Sequence, residues 1–153
     1  LRYQLYGGNQ KVSILQEIDY LKTYIALRKL RMSERLRLRV EFPPELNELN
    51  IYPLLFLPLV ENAFKYVGGD YQLDIIMKWE NNRISLFIRN SIPELSAEDE
   101  ALRKSVDERQ RKGIGLVNLR RRLSLLYPSK HRLETRKEET EFVAELMIEI
   151  EDI

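Results

Sequence analysis

The sequence predicts a two-layer α/β sandwich in which a mixed, mostly antiparallel sheet is covered by helices. Three observations carry that expectation. A long helical periodicity near the start is followed by an alternating strand, and a second helix comes next. Two β-rich runs are then joined by Asn81–Asn82, a pair suited to a tight hairpin turn. Finally, a third amphipathic helix precedes two more strands. Helices interleaved with antiparallel strand pairs bury their apolar faces most simply as one layer upon another.

The elements follow in order. Ser13 with Gln16 three residues on fits a capping box, and Ile14, Ile18, Leu21 and Ile25 succeed it at helical spacing. Tyr20, Tyr24 and Leu27 widen this stripe, and the helix is expected to run to about Leu30 or Met32. The preceding LRYQLYGGNQ reads as the tail of an earlier helix broken by Gly7 and Gly8. An ordinary core helix would show the same periodicity, but so broad a stripe calls for more than one partner. Leu36, Leu38, Val40 and Phe42 alternate with Arg37, Arg39 and Glu41, giving a half-buried strand ended by Pro43 and Pro44. A helix is expected from about Pro53 to the pair Gly68–Gly69. Strands at 71–79 and 83–90 form the hairpin. The charged stretch from Pro93 to Arg111 reads as a loop with a helical turn near Ala97–Arg109. Leu116, Leu119, Leu123 and Leu126 define the third helix, which stops at Pro128, and strands at about 132–137 and 141–150 close the domain. No internal repeat is present.

Composition excludes several classes of function. A chain of 153 residues with 44% hydrophobic and 32% charged residues suits one globular domain with its own core. Lys and Arg number 25 against 24 Asp and Glu, so bulk charge points to neither nucleic acid nor a membrane surface. With no cysteine and a single histidine, disulfides, zinc thiolates and two-histidine metal sites are excluded. The longest apolar run, IYPLLFLPLV, is too short to span a bilayer. The start has neither an initiator Met nor a signal-like segment, as expected of a piece cut from a longer protein.

Two segments carry chemistry. In LVENAFKY, Glu61, Asn62 and Lys65 fall within one narrow arc of a helical wheel, opposite Leu57, Val60, Phe64 and Val67. An amide oxygen is a hard ligand suited to magnesium, which keeps several waters and takes other ligands from substrate phosphates. A lysine one turn away can meet phosphate charge, and Glu61 can orient or deprotonate a nucleophile. Taken by itself, the segment equally fits a surface pair between Glu61 and Lys65 with Asn62 solvated beside it. In KGIGLVNLRRRL, Gly113 and Gly115 come just before a helix that carries Asn118 in its early turns. Glycines admit a phosphate close to the backbone, and a helix N-terminus offers free N–H donors. The spacing matches neither a P-loop nor a full dinucleotide-binding fingerprint, and a lone G-x-G is ordinarily a turn. Arg120 to Arg122 read as a solvated face and His131 as a surface residue. Together the two segments suggest a site for a nucleoside triphosphate and its magnesium.

LVENAFKY resembles the N-box, and KGIGLVNLRRRL the glycine box, of the ATP-binding fold shared by gyrase, MutL and histidine kinases. The closer resemblance is to LytS-like sensor histidine kinases, in which a helix ending in KLR, a strand and a P-P-E-L step precede the N-box. Residues 17–66 follow that order, and GIGLVNLRRRLSLLYPSKHRL matches the later part. The resemblance implies a sandwich of the histidine kinase ATPase type over residues 35–153, preceded at 1–34 by a remnant of the dimerisation and phosphotransfer helices. It implies that ATP and Mg2+ are bound and that the γ-phosphate passes to a histidine lying before Leu1, for relay to a response regulator. Glu61 is then the catalytic carboxylate, and Asn62 the magnesium ligand. Lys65 contacts phosphate, Gly113, Gly115 and the nearby backbone line the phosphates with Asn118 supporting the loop, Tyr66, Lys112 and Leu116 complete the nucleotide site, and Asn90 faces adenine. It also implies a homodimer formed through the N-terminal helices and a cytoplasmic position, the parent protein lying in the inner membrane. Three departures stand out. Tyr66 replaces the usual N-box histidine, Asn90 and Ile92 replace the aspartate and glycine of the adenine box, and the lid before Gly113 is charged where glycines are usual. Two alternatives remain: a degenerate module that dimerises without using ATP, and an ATPase of the gyrase or MutL kind in which Glu61 activates water.

Overall fold

The computed structural model describes residues 10–44, 46, 49–94 and 114–151. A short strand β1 (Val12–Ser13) leads into helix α1 (Ile14–Arg31), with Ser13 as its N-cap. The Ser13 hydroxyl accepts from the Leu15 amide at 3.3 Å, which satisfies one of the unpaired donors of the first turn. Strands β2 (Arg37–Glu41) and β3 (Asn50–Ile51) follow. Helix α2 (Leu57–Tyr66), the hairpin of β4 (Gln72–Glu80) and β5 (Arg83–Ser91), helix α3 (Ile114–Leu126) and strands β6 (His131–Lys137) and β7 (Glu141–Glu149) complete the described fold.

Five strands form one sheet in the order β2-β4-β5-β7-β6, and β1 pairs antiparallel with β3 in a separate ladder. Within the large sheet β2 runs parallel to β4, and the other neighbours are antiparallel. The sheet is therefore mixed and mostly antiparallel, as the strand patterns predict. Asn81 and Asn82 both have positive φ, 52° and 61°, the conformation that a two-residue hairpin demands.

Alternation along the strands sends Leu73, Ile75 and Met77 of β4 and Ile84, Leu86 and Ile88 of β5 to one face, all of them buried. Leu146 and Ile148 of β7 join them, and α2 lies across this face with Leu59, Val60, Ala63 and Phe64 buried. Leu119 and Leu123 bring α3 into the same core, while Ile14, Ile18, Leu21 and Ile25 bring α1. The stripe of α1 thus finds a partner within its own chain. Tyr20 and Leu27 do not belong to its buried side: they are exposed, and only Tyr24 is half-buried.

The other face of the sheet carries charge. Asp74, 2% exposed, is bound by Arg89 at 2.6 and 3.0 Å, and Arg89 reaches Glu141 at 3.5 Å. Such charge-assisted bonds compensate the burial of a carboxylate that would otherwise be costly.

The structure corrects one helix boundary. The N-box helix begins at Leu57 rather than near Pro53, and the proline in its first turn is Pro58. Residues 53–56 form a turn in which Leu54 has a φ of 61°. The expected helical turn near Ala97–Arg109 lies outside the described residues.

Candidate functional site

Helix α2 displays what its periodicity promises. Glu61 and Lys65 are exposed and Asn62 is half-buried, opposite the apolar side that packs on β5. Among the described residues Glu61 and Lys65 form no ion pair, although they stand one turn apart; the Lys65 ammonium instead lies over the Tyr66 ring, 5.4 Å from its centroid. Asn62 spends neither its amide oxygen nor its amide nitrogen on a hydrogen bond to another described residue. The simple surface-pair reading of this cluster is therefore not what the structure contains.

Where α2 ends, it is tied to the end of β5. The Gly68 amide donates to the Ser91 carbonyl at 2.9 Å, and the Ser91 hydroxyl donates to the Gly68 carbonyl at 2.7 Å. The same hydroxyl accepts from the Gln72 amide at 2.8 Å. Gly69, at φ 59°, lies so close to β5 that an added Cβ would stand 2.7 Å from the Ile92 carbonyl oxygen. A side chain there would meet backbone that cannot yield, so the glycine pair does more than end a helix. Neither Ser91 nor this close approach is visible in local sequence pattern, because each depends on a partner some twenty residues away.

This junction brings Tyr66, half-buried near the exit of α2, to the same end of the molecule as Asn90, the residue before Ser91. Asn90 lies on the helix-covered face of the sheet between Leu73 and Phe142 and is 1% exposed. Its amide nitrogen makes one long contact, 3.5 Å to the Ser91 carbonyl, and its amide oxygen has no hydrogen-bond partner among the described residues. A buried acceptor left unpaired costs on the order of 1–3 kcal/mol. Such an atom in a native core calls for an explanation, and a ligand donor is one.

Helix α3 packs against α2 and β6. Gly115 lies inside its first turn rather than in a loop before it, and among the described residues nothing comes within 4 Å of where a Cβ would stand. Leu116 is half-buried and Asn118 exposed. Lys112 and Gly113 lie outside the described residues. The structure thus brings the elements bearing Asn62, Asn90 and Asn118 together, while no hydrogen bond or ion pair links any two of these side chains.

Two charged residues absent from the sequence-based site attach to the entrance of α2. Glu17, 1% exposed, accepts the Leu54 amide through Oε1 at 2.9 Å. Arg122 donates to the carbonyls of Pro53 at 2.9 Å and Leu54 at 3.4 Å. Burial lowers the Arg122 pKa, against which the Glu17 carboxylate raises it. The signal was present: Glu17 lies between Ile14 and Leu21, and Arg122 between Leu119 and Leu123, each on the apolar side of its helix. A charge placed there needs a partner inside the fold. Arg122 is accordingly not part of a solvated arginine face, whereas Arg121 is exposed.

Helix α1 also reaches α2 through aromatic contact. Tyr24 packs edge-on against Phe64, with centroids 6.2 Å apart, and the Arg28 guanidinium stands over the same ring at 5.6 Å. Burial raises the Tyr24 pKa, the Arg28 guanidinium lowers it, and the Glu61 carboxylate raises it again. Among the described residues no group of three or more His, Asp or Glu side chains is arranged to hold a metal ion. Any divalent ion here would depend on ligands from its substrate, as magnesium commonly does.

No protein-family profile matches the chain. The sensor protein kinase HptS of Staphylococcus aureus is 28% identical over 138 residues, which cover 87% of this chain and 27% of that protein. Among solved structures, the histidine kinase AdeS of Acinetobacter baumannii superposes with a TM-score of 0.57 at 14% identity, over 94% of this chain and 68% of that one. The mycobacterial sensor histidine kinase MprB gives 0.58 at 14% identity, covering 94% and 99%. The nucleotide-free catalytic domain of the histidine kinase ThkA gives 0.57 at 15% identity, covering 92% and 96%. The chain is a homologue of sensor histidine kinases and has the fold of their catalytic domains.

Proposed function

We propose that this chain is the ATP-binding catalytic part of a LytS-like two-component sensor histidine kinase. In the intact protein it moves the ATP γ-phosphate to a histidine for relay to a response-regulator aspartate. One observation carries the reading above the others: Asn90 is buried at the end of β5 with an unpaired amide oxygen, beside the exit of the helix that bears Asn62. That oxygen suits the adenine amino group.

The remaining roles follow from position. Asn62, free of protein hydrogen bonds, offers its amide oxygen to magnesium, and Lys65 meets phosphate charge. When bound, the magnesium would neutralise phosphate charge and hold the β- and γ-phosphates in one geometry. Glu61 assists the acceptor histidine, and Tyr66, Leu116 and the backbone at Gly113 and Gly115 line the nucleotide with Lys112 at the lid. Asn118 supports that lid. By the same reading residues 1–34 belong to the dimerisation and phosphotransfer helices, through which the parent forms a homodimer, and the catalytic part faces the cytoplasm. Among the described residues no helix is long and apolar enough to cross a membrane.

The test is titration with a magnesium–ATP analogue, with and without the metal. Binding is expected to depend on magnesium, and Asn62→Ala is expected to lose most of it without loss of fold, since the side chain fills no cavity. Magnesium–ATP binding at unaltered affinity in Asn62→Ala would remove the metal role. No binding by the unaltered chain would favour the second reading, a module that kept the fold and lost the ligand. The uncharged Asn90 is the observation behind that reading.

A further inference from the structure

The turn that enters α2 is held from two sides. The peptide at Leu54 lies between Glu17 of α1, which accepts the hydrogen bond of its amide, and Arg122 of α3, which donates to its carbonyl and to that of Pro53. Next to it the Tyr52 amide donates to the Tyr127 hydroxyl at 3.2 Å, and the Ile14 amide donates to the Leu49 carbonyl at 2.8 Å. The Tyr52 and Tyr127 rings meet edge-on, 5.5 Å apart. The bonds at Tyr52, Pro53 and Leu54 thus come from α1, from α3 and from Tyr127 just past its end, and only the Phe56 carbonyl turns inward to the first turn of α2.

Leu54 has a φ of 61°, a region a leucine occupies only at a cost. Backbone held in such a state persists where its surroundings over-determine it, and it concentrates where geometry matters for function. Here the surroundings are two buried or half-buried charges of opposite sign from two different helices, three residues before α2 begins. Charged partners make the strongest of the ordinary hydrogen bonds, so they are suited to holding a strained peptide.

We propose that Glu17 and Arg122 are positioning residues: together they clamp the Leu54 turn and so set the placement of α2, whose exposed face carries Glu61, Asn62 and Lys65. The inference rests on the reading of that face as part of a nucleotide site. Its consequence is that α1, remote in sequence from that site, controls nucleotide binding through one carboxylate. A shift of α1 that withdraws Glu17 releases the Leu54 amide, leaves the Arg122 charge without its buried counterpart, and frees the turn to relax.

The experiment compares Glu17→Gln, Arg122→Lys and Arg122→Lys/Leu54→Asn with the unaltered chain. Arg121→Ala serves as an exposed control. Lysine keeps the charge but cannot reach two carbonyls with a planar fork, and glutamine keeps an acceptor but not its charge. Each single variant should weaken binding of magnesium with a non-hydrolysable ATP analogue about tenfold, the equivalent of one charge-assisted bond. Hydrogen exchange should quicken at the amides of Leu54, Leu59 and Val60, the last two closing the first turn of α2 onto the Phe56 carbonyl. Asparagine tolerates the left-handed conformation, so Leu54→Asn should recover most of the affinity lost in Arg122→Lys. Melting temperatures of the same variants are read beside affinity, so that recovery through the turn is distinguished from a gain in overall stability. Should Arg122→Lys fail to fold, the isosteric Glu17→Gln decides by the same two readouts. Unaltered affinity in folded Glu17→Gln and Arg122→Lys overturns the clamp while leaving the nucleotide site standing. Absence of binding by the unaltered chain overturns the nucleotide reading and this inference with it.

Discussion

At the scale of single residues the proposed adenine contact, Asn90, decides most. A carboxylate there would accept a charge-assisted hydrogen bond, roughly twice as strong as a neutral one. Asn90 offers an amide, which presents a donor as well as an acceptor, so by turning over it can serve a base with a carbonyl at that place. Modest affinity and poor discrimination between ATP and GTP are expected. Asn90→Asp should restore a preference for ATP of about tenfold, since one bond gains charge. It should also lower the stability of the empty protein, because at 1% exposure the new carboxylate would lack water as well as a partner. Binding of both nucleotides to both proteins, with melting temperatures in the presence and absence of ATP, is the measurement. Strong rejection of GTP by the unaltered protein, or no change in Asn90→Asp, would show that Asn90 does not face the base. The placement of Glu61, Asn62 and Lys65 off the buried side of α2 was legible in the sequence because the N-box compresses them into one helical arc. Glu17 and Arg122 were not, although each carried a warning, because the peptide they hold lies 37 and 68 positions from them.

Among the elements, α1 shows best what periodicity can and cannot specify. Spacing placed Ile14, Ile18, Leu21 and Ile25 on one side, and all four are buried. Yet the stripe drawn around them also took in Leu27, which is 58% exposed. A helical wheel ranks angles, but how much of the arc is covered depends on the shape of the surface beneath. Leu15, Leu27 and Leu30 remain exposed, Leu30 at 82%, on the side turned from the core. Apolar surface gathered on one helix side seeks a partner. Weak, concentration-dependent self-association is therefore expected, and Leu27→Glu with Leu30→Lys should abolish it while moving stability by no more than about 0.5 kcal/mol. Leu21→Ala, at a fully buried position, should instead cost roughly 2–5 kcal/mol. Sedimentation across a concentration series, paired with denaturant unfolding, separates the two effects; a chain that stays strictly monomeric would contradict the first. The entrance of α2 was misjudged for a related reason. Pro53 is a good first-turn residue by local rules, but the bonds that bend the chain at 53–54 come from α1 and α3.

Across the whole molecule, strand identity was local and strand order was not. The Asn81–Asn82 turn dictates that β4 pairs with β5, but β5 pairs with β7 across an intervening helix, and β2 joins β4 in parallel. No period in the sequence announces those pairings; the family resemblance supplied the layer type, and packing of α2 against β4 and β5 realises it. The same architecture fixes what the chain's single histidine can do. His131 opens β6 just past the end of α3, and its Nδ1 lies 2.7 Å from the Tyr127 carbonyl, to which it donates. The ring thus closes off the end of a helix whose opposite end bears Gly115. Thirteen residues of helix separate those ends, on the order of 20 Å at 1.5 Å per residue. A phosphoryl acceptor must come within roughly 3–3.5 Å of the phosphorus to react. A γ-phosphate held where the proposed site puts it, at the start of α3 and beside Asn62, is therefore out of reach of His131 in the same chain. Incubated with γ-labelled ATP and magnesium, the chain should acquire no stable label, and His131→Ala should bind nucleotide as the unaltered chain does. A histidine-bearing hairpin from the same parent, added in trans, should become labelled. Self-labelling that disappears in His131→Ala would mean that the two ends of α3 do not keep the acceptor and the phosphate apart, and the assignment of the acceptor to another segment would fall.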